Sequence, residues 1–182
     1  MRVISGSARG RKLKQLSDID IRPTSDMIKE SVFNIIQFDI EGRRVLDLFA
    51  GTGQLGIEAL SRGARGAVFV DTNPAAVKLI KENIELCGFS GISTVYRRDV
   101  LNYLEHSEAF DLIFIDPPYD SLLAAVTLGK IIEFDKLNTN GIIICETRAN
   151  HVMPPVLIPC FTQKEYKYGG AKVTRIVRSE QS

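Results

Sequence analysis

The chain has 182 residues, of which 45% are hydrophobic and 25% charged; these proportions fit one globular domain, residues 1–182, and exclude disordered, fibrous and collagen-like proteins. The formal net charge of +1 argues, as an average, against a strongly basic nucleic-acid binder. No apolar run approaches the roughly 18 residues of a membrane helix, and the charged N-terminus is unlike a signal peptide, so we expect a cytoplasmic protein with no membrane partner.

The chain begins with a basic arm, which is predicted to extend to about residue 22, ahead of the core. Residues 1–14 carry five cations and no acidic residue. Such a segment can contact nucleic-acid phosphates, which contribute affinity but little base specificity. A solubilising basic tail is the alternative interpretation. The candidate RNA-binding residues are Arg9, Arg11, Lys12, Lys14 and Arg22.

Residues 23–36 are predicted to form an amphipathic helix. Either Thr24 or Ser25 suits its N-terminus, and Asp26 lies in its first turn, where an acidic side chain interacts favourably with the helix dipole. Its apolar side chains recur at helical spacing on one face. They are Ile28, Val32, Ile35 and Ile36.

Short apolar runs alternate with helical stretches through the middle of the chain, which predicts a parallel sheet. The runs are apolar on consecutive residues, as expected for strands buried on both faces. The best-marked helix follows the second run, with Asn73 as cap, Pro74 at its first position and Gly88 at its exit. Its predicted apolar stripe is Val77, Ile80, Ile84 and Cys87. The predicted strands are residues 45–49, 67–70, 94–96, 112–115 and 142–145.

A glycine-rich turn, residues 47–56, follows the first strand and leads into a helical stretch. Its G-x-G-x-x-G spacing is a nucleotide-binding fingerprint, in which glycines allow close backbone approach to a ligand. Asp47 would repel a pyrophosphate and attract a cationic amine, so electrostatics favour S-adenosylmethionine over NAD. The candidate cofactor residues in this turn are Asp47, Phe49, Gly51, Gly53 and Gly56.

Two further aspartates follow the second and third strands. Asp71 lies 20 residues beyond Gly51, where an acidic side chain can accept hydrogen bonds from ribose hydroxyls. Asp99 is placed to meet the amino group of adenine, or alternatively caps the helix that follows it.

The fourth strand ends in Asp116-Pro117-Pro118-Tyr119. Two prolines fix φ and remove two backbone donors, which leaves local carbonyls free to accept hydrogen bonds from a ligand. A carboxylate beside a proline carbonyl can accept both N–H groups of an exocyclic amine, and Tyr119 can stack on the base that carries it. All four residues are candidate catalytic residues.

Residues 163–168 and 172–178 are predicted to form a hairpin joined by Gly169-Gly170. Residues 164–178 have a net charge of +4 and residues 15–163 a net charge of −7, so the small total conceals two basic ends, both expected to be free for phosphate, around an acidic middle. The cysteines are Cys87, Cys145 and Cys160, without a C-x-x-C spacing. We expect reduced, mostly buried thiols and no metal site.

These motifs resemble the class I S-adenosylmethionine-dependent methyltransferases that act on exocyclic amines. The sequence is most similar to the bacterial 16S rRNA guanine 2-amino methyltransferase family of the small ribosomal subunit. It departs from the family pattern at Met27 and Lys29, where arginines are expected, and at Tyr119, where phenylalanine is frequent. The segments that carry the resemblance are residues 2–13, 22–26, 30–34, 47–63 and 116–119.

The resemblance implies a Rossmann-like α/β fold, with a mostly parallel seven-stranded sheet, helices on both faces and an antiparallel C-terminal hairpin. It implies that Thr24 and Asp26 approach the methionine end of S-adenosylmethionine. A monomer acting on 16S rRNA, within the small subunit or its assembly intermediate, is the expected assembly. The alternatives are methylation of adenine or of a protein glutamine, a nicotinamide oxidoreductase, and a non-catalytic RNA-binding protein.

Overall fold

The computed structural model describes residues 1–15, 26–117 and 121–180. In chain order its strands are β1 (Arg44–Leu48), β2 (Gly66–Asp71), β3 (Ser93–Arg97), β4 (Phe110–Ile115), β5 (Leu137–Arg148), β6 (Phe161–Tyr168) and β7 (Ala171–Arg178). Its helices are α1 (Asp26–Ile35), α2 (Gln54–Ser61), α3 (Pro74–Cys87), α4 (Val100–His106) and α5 (Ser121–Glu133).

The strands form one seven-stranded sheet in the order β3-β2-β1-β4-β5-β7-β6. The first five strands pair in parallel, and β7 pairs antiparallel with both β5 and β6. The predicted mostly parallel sheet and antiparallel C-terminal hairpin are therefore confirmed. From β1 the strand order runs outward through β2 and β3 on one side and through β4 and β5 on the other, so it reverses between β1 and β4. The carboxyl ends of those two strands border the crevice in which α/β proteins of this type bind ligands.

Helices cover both faces of the sheet, as predicted. One apolar layer contains side chains of α1, α2 and α3, and the other contains side chains of α4 and α5. All eight residues of α2 are buried. The helix packs in one apolar cluster with the sheet, with α1 and α3, and with residues of the N-terminal arm.

Every strand differs from its predicted boundaries. Six differ by one or two residues at one or both ends, and β5 differs by five residues at its start and three at its end. β1 ends at Leu48 because Phe49 has a φ of 60° and begins the turn. β5 runs from Leu137 to Arg148 because Leu137 pairs with β4 ahead of the polar residues 138–140, and the polar end at Arg148 pairs with β7. Polar residues at strand ends hide such pairing from a search for apolar runs.

Helix α3 has the predicted ends, but its buried face is different. Asn73 accepts a hydrogen bond from Ala75 N at 2.8 Å, Pro74 opens the helix, and Gly88 ends it with a φ of 79°. The predicted stripe is wrong at Val77, which is only half-buried, whereas the half-buried Cys87 packs against the apolar cluster of this layer. The buried residues are Ala76, Leu79, Ile80, Asn83 and Ile84. In α1, the charged Lys29 and the aromatic Phe33 join the buried face.

The N-terminal arm is folded onto this layer of the core. Its side chains Val3, Ala8 and Leu13 are buried in the same apolar cluster as α1 and α2. Arg2 and Lys12 form an antiparallel bridge, so residues 1–14 make a small hairpin. This docking contradicts the alternative interpretation of the arm as a free solubilising tail.

Gly56 allows α2 to approach the sheet. A Cβ atom at this position would overlap the aromatic ring of Phe69 on β2. Alanine has the higher helix propensity, worth about 1 kcal/mol, so a simple helix argument predicts stabilisation by Gly56→Ala. Overpacking predicts the opposite.

We expect Gly56→Ala to lower the free energy of unfolding by about 1–3 kcal/mol, measured by urea denaturation. Phe69→Leu in the same chain should restore part of that loss, because it makes room for the added methyl group. The control is Gly129→Ala in α5, where a Cβ meets open space; it should be neutral or stabilising. Equal behaviour of the two alanine variants would contradict the packing argument.

Candidate functional site

Three aspartates lie at the carboxyl ends of the adjacent strands β2, β1 and β4. Asp47 lies within β1, Asp71 ends β2, and Asp116 directly follows β4. Asp47 pairs in register with Phe69 on β2 and with Phe114 on β4. Parallel strands point their carboxyl ends to the same edge, so the sheet brings these three predicted site residues together.

Asp47 is almost completely buried, and its side chain reaches the start of α2. Its Oδ2 accepts a hydrogen bond from Gly56 N at 2.9 Å. Burial raises the pKa of Asp47 well above its ordinary value, and the negative charges of Asp116 and Asp71 raise it further. The Gly56 hydrogen bond acts in the opposite direction. Ionisation of Asp47 is therefore disfavoured in the ligand-free protein, and a positive charge placed beside it would favour ionisation.

Asp71 holds the glycine turn in place. Its Oδ2 accepts from Gly51 N at 2.8 Å, and its Oδ1 accepts from Asn73 N at 2.8 Å. Gly51 and Gly53 have φ values of 56° and 76°, in the left-handed region that favours glycine. Asp71 therefore fixes a backbone path that few other residues could follow.

Phe49 adopts the same unusual region without being glycine, with a φ of 60°. Its ring is half-buried and packs against the apolar layer of α4 and α5. Such strained residues persist where the surrounding structure holds them, which is frequent at ligand sites.

Asp99 caps α4, as the alternative interpretation proposed. Its Oδ1 accepts hydrogen bonds from Leu101 N and Asn102 N, both at 3.0 Å. A contact with adenine remains a prediction for this residue. Asp26 begins α1 with its carboxylate largely exposed, 3.9 Å from Lys29 Nζ.

The remaining predicted site residues are only partly described. Pro117 is half-buried beside Asp116. Pro118, Tyr119, Thr24 and Arg22 lie outside the described residues, as do the predicted caps of α1. Within the described ranges there is no group of three or more metal-ligating side chains, and no helix there has the length and apolar character to cross a membrane.

Sequence reasoning missed the polar residues of α2 that dock the arm. Glu58 is fully buried, and its two oxygens accept from Ile4 N at 2.7 Å and from Ser5 N at 3.0 Å. Ser61 Oγ accepts from Ala8 N at 3.0 Å and donates to Ser5 O at 2.5 Å. Partners more than 50 residues apart give no local signal, so the sequence could not have shown these contacts.

Lys29 belongs to this docking region and not to an RNA surface. It is fully buried, its Nζ donates to Arg2 O at 2.5 Å, and it lies 3.9 Å from Glu58 Oε2. Burial lowers the pKa of Lys29, although Glu58 and Asp26 partly oppose this effect. Met27, the second position where the family pattern predicts an arginine, is 66% exposed.

The cations of the arm and of the C-terminal hairpin differ in availability. Arg9, Arg11 and Lys12 are exposed and form no ion pair with the described acidic residues, whereas Lys14 Nζ lies 2.8 Å from Glu82. In the hairpin, three of the five cations are paired. These pairs are Lys172 with Glu165 at 2.9 Å, Arg175 with Asp39 at 3.4 Å, and Arg178 with Asp135. The expectation that both basic ends are free for phosphate is therefore wrong for most of the hairpin.

Residues 1–177 match the model of a protein family described as "Conserved hypothetical protein 95". The chain belongs to this family. It is 39% identical over 173 residues to the Bacillus subtilis (strain 168) protein named "Putative rRNA methyltransferase YlbH", covering 93% of this chain and 94% of that protein. It is 31% identical over 157 residues to "Ribosomal RNA small subunit methyltransferase D" of Escherichia coli (strain K12), covering 86% and 79%. The resemblance inferred from the sequence motifs is confirmed.

Two solved structures of similar fold are methyltransferases by name. The "Putative methyltransferase yhhF from Escherichia coli" superposes with a TM-score of 0.88 at 28% identity, covering 100% of this chain and 99% of that one. The putative methyltransferase SMU.776, solved with SAH, has a TM-score of 0.69 at 21% identity, covering 82% and 49%, and shows the fold alone. The yhhF neighbour confirms the predicted fold as that of a methyltransferase.

The raised pKa of Asp47 gives the ligand-free protein a characteristic pH dependence. The folded state binds this proton more tightly than the unfolded state does. Stability therefore falls as pH rises from the ordinary carboxyl range towards the raised pKa, by about 1.4 kcal/mol per pH unit between the two values. We expect Asp47→Asn to flatten this part of the profile, measured as the free energy of unfolding across a pH series.

The control for that experiment is Glu30→Gln, which removes an exposed carboxylate from α1. It should leave the fall in stability as it is in the unmodified chain. An Asp47→Asn profile that still falls in parallel with the unmodified protein would contradict the assignment of the proton to Asp47.

Proposed function

We propose that this protein transfers a methyl group from S-adenosylmethionine to the exocyclic 2-amino group of a guanine in 16S rRNA of the small ribosomal subunit. The observation that carries the proposal is the convergence of Asp47, Asp71 and Asp116 at the carboxyl edge of the sheet, beside the point between β1 and β4 where the strand order reverses. Small-subunit rRNA is the substrate class in the name of the Escherichia coli relative, and it supports the choice of acceptor.

The cofactor fits the charges of this edge. S-adenosylmethionine carries an ammonium and a sulfonium group and no phosphate, so it supplies positive charge next to the buried Asp47. Asp71, at the end of β2, is the candidate ribose acceptor, and the turn at Gly51 and Gly53 allows close backbone approach. Asp99 at the start of α4 is the candidate for the adenine amino group. Thr24 and Asp26 are proposed at the methionine end.

The acceptor amine belongs at Asp116. The carboxylate and the carbonyl groups of the Asp-Pro-Pro-Tyr segment accept the two N–H groups of the guanine amine, and Tyr119 stacks on the base after it is flipped out of the RNA. The amine nitrogen forms a bond to the methyl carbon as the carbon–sulfur bond breaks, and the sulfonium becomes a neutral thioether. The nitrogen then releases one proton, and Asp116 is its proposed acceptor.

The basic arm holds the RNA in this proposal. Arg9, Arg11 and Lys12 project from a hairpin that is already folded onto α2, so little chain ordering is needed when phosphates bind. Phosphate contacts hold the RNA without reading its sequence. The base selectivity therefore falls to the pocket at Asp116.

We expect Asp116→Ala to reduce methyl transfer at least 10²-fold, because it removes the acceptor of the amine and of its proton. Binding of S-adenosylhomocysteine, measured by calorimetry, should change little. Asp116→Asn keeps one acceptor oxygen and should retain more activity than Asp116→Ala. The assay is tritiated methyl transfer onto small ribosomal subunits from cells that lack this protein, followed by mapping of the modified nucleotide.

Methylation by Asp116→Ala at the wild-type rate would contradict the proposed role. Label mapped to an adenine would keep the amine chemistry but replace the proposed base. Calorimetry that shows binding of NADH but no binding of S-adenosylhomocysteine would favour the oxidoreductase alternative.

A triple variant, Arg9→Gln, Arg11→Gln and Lys12→Gln, tests the arm. We expect weaker binding to rRNA. The plot of log affinity against log salt should become less steep by about 2, since each phosphate contact contributes about −0.7 to −0.9 to its slope. Fluorescence anisotropy across a salt series measures both quantities. Cofactor affinity should not change.

The charge-matched control is Arg43→Gln, Arg65→Gln and Lys130→Gln. It removes three cations that already contact Asn140 O, Asp111 and Glu133, respectively. It should leave the salt slope close to that of the unmodified protein. Equal effects of the two triple variants would show that only overall charge matters and would contradict a binding role for the arm.

A further inference from the structure

Asn83 is a fully buried polar residue on α3 that the predicted apolar stripe of that helix did not include. Its carboxamide is used in three directions. Oδ1 accepts from Lys14 N at 2.8 Å, and Nδ2 donates to Lys14 O at 3.2 Å and to Thr52 O at 3.0 Å. Both N–H donors of the side chain are therefore used on backbone carbonyls.

These bonds join two parts of the molecule that have different proposed tasks. Lys14 is the end of the basic hairpin, and the Asn83 carboxamide pairs with its backbone in both directions, much as a neighbouring strand would. Thr52 lies between Gly51 and Gly53, the two residues with left-handed backbone in the cofactor turn. The orientation of the Thr52 peptide is thus fixed from α3 by one side chain.

The turn is held from its other side by Asp71, which accepts from Gly51 N at 2.8 Å. A buried amide in this place costs free energy unless all its polar atoms are hydrogen-bonded, because each missing bond leaves a desolvated polar group. An apolar residue would carry no such cost. The two backbone carbonyls that accept from Asn83, one in the arm and one in the turn, explain why a polar residue stands at this buried position of α3.

We propose that Asn83 is a positioning residue that sets the cofactor turn and the end of the RNA-binding arm together. This inference rests on the proposed function, because it concerns the two binding sites that the function requires. Asn83 touches neither cofactor nor RNA in this proposal; it acts through the backbone of Thr52 and of Lys14. Its loss should therefore weaken both binding steps while the chemical step on the bound complex is preserved.

The test is Asn83→Asp, which keeps the shape of the side chain and the acceptor for Lys14 N but replaces both N–H donors by a carboxylate facing two carbonyls. We expect the Kd for S-adenosylhomocysteine and the Kd for rRNA each to rise at least 10-fold. The kcat at saturating concentrations should stay within about threefold of wild type. Asn34→Asp, the same change on the exposed side of α1, is the control and should alter none of these values.

A second variant separates the two ends of the proposed link. Gly6 has a φ of 82°, and a Cβ there would overlap the backbone oxygen of Ser61, so Gly6→Ala should displace the hairpin from α2 without touching Asn83. We expect Gly6→Ala to weaken rRNA binding only. Should Asn83→Asp prove unable to fold, Asn83→Ser, which keeps one donor, should show the same double effect at smaller size.

The inference is overturned if Asn83→Asp weakens only one of the two ligands, or if its loss of activity appears in kcat. It is equally overturned if Gly6→Ala weakens cofactor binding as much as Asn83→Asp does, because the arm itself would then support the turn. The wild-type protein is measured first on both ligands and in the methyl-transfer assay. Failure there counts against the proposed function, whereas failure of Asn83→Asp alone counts against this inference.

Discussion

The burial of the Asp47 carboxyl group in the middle of the sheet is the constraint on which the site depends. A buried carboxylate needs donors or positive charge, and in the described part of the chain the N–H of Gly56, in the first turn of α2, donates to it. For that N–H to reach Asp47, α2 must lie close to the sheet, and Phe69 leaves room only for glycine at this position. One glycine thus serves the packing of the helix and the electrostatics of the strand. The carboxylates of Asp71 and Asp116 add to the negative charge, which a cationic ligand can balance.

Helix α2 connects the buried Asp47 to the basic hairpin. Its first turn donates to Asp47, and its last turns carry Glu58 and Ser61, which hold the basic hairpin by backbone hydrogen bonds. The hairpin buries Val3, Ala8 and Leu13 against the same layer. The conformational entropy of this segment is therefore lost when the protein folds and not when it meets a ligand. A basic segment of this composition, if left free, would have to be ordered at the moment of binding.

The parts of the fold that were predicted from sequence are those with a local signal. Consecutive apolar residues gave the strand cores, and Asn73, Pro74 and Gly88 gave both ends of α3, because caps and turns act within a few residues. The convergence of Asp47, Asp71 and Asp116 followed from the rule that parallel strands share a carboxyl edge. The contacts of Asn83, Glu58 and Lys29 with the arm could not be predicted, since the arm residues lie 27 to 69 positions away and meet them only once the arm has docked. The same reasoning explains the error for the C-terminal cations, whose acidic partners come from distant segments.

The separation of charge also follows from what the two proposed ligands require. An amine needs acceptors and a phosphate needs cations, so a site that held both at one point would weaken each. Here the acidic groups lie at the sheet edge, with Asp47 buried, whereas Arg9, Arg11 and Lys12 of the arm are exposed to solvent. Salt screens exposed charges over about 10 Å at 0.1 M but acts much less on buried ones. RNA binding through the arm should therefore depend strongly on salt, while the acceptor chemistry at the sheet edge should depend on it little. The ion pairs in the C-terminal hairpin contribute to the same separation, because they neutralise cations on β7, the strand beside β5.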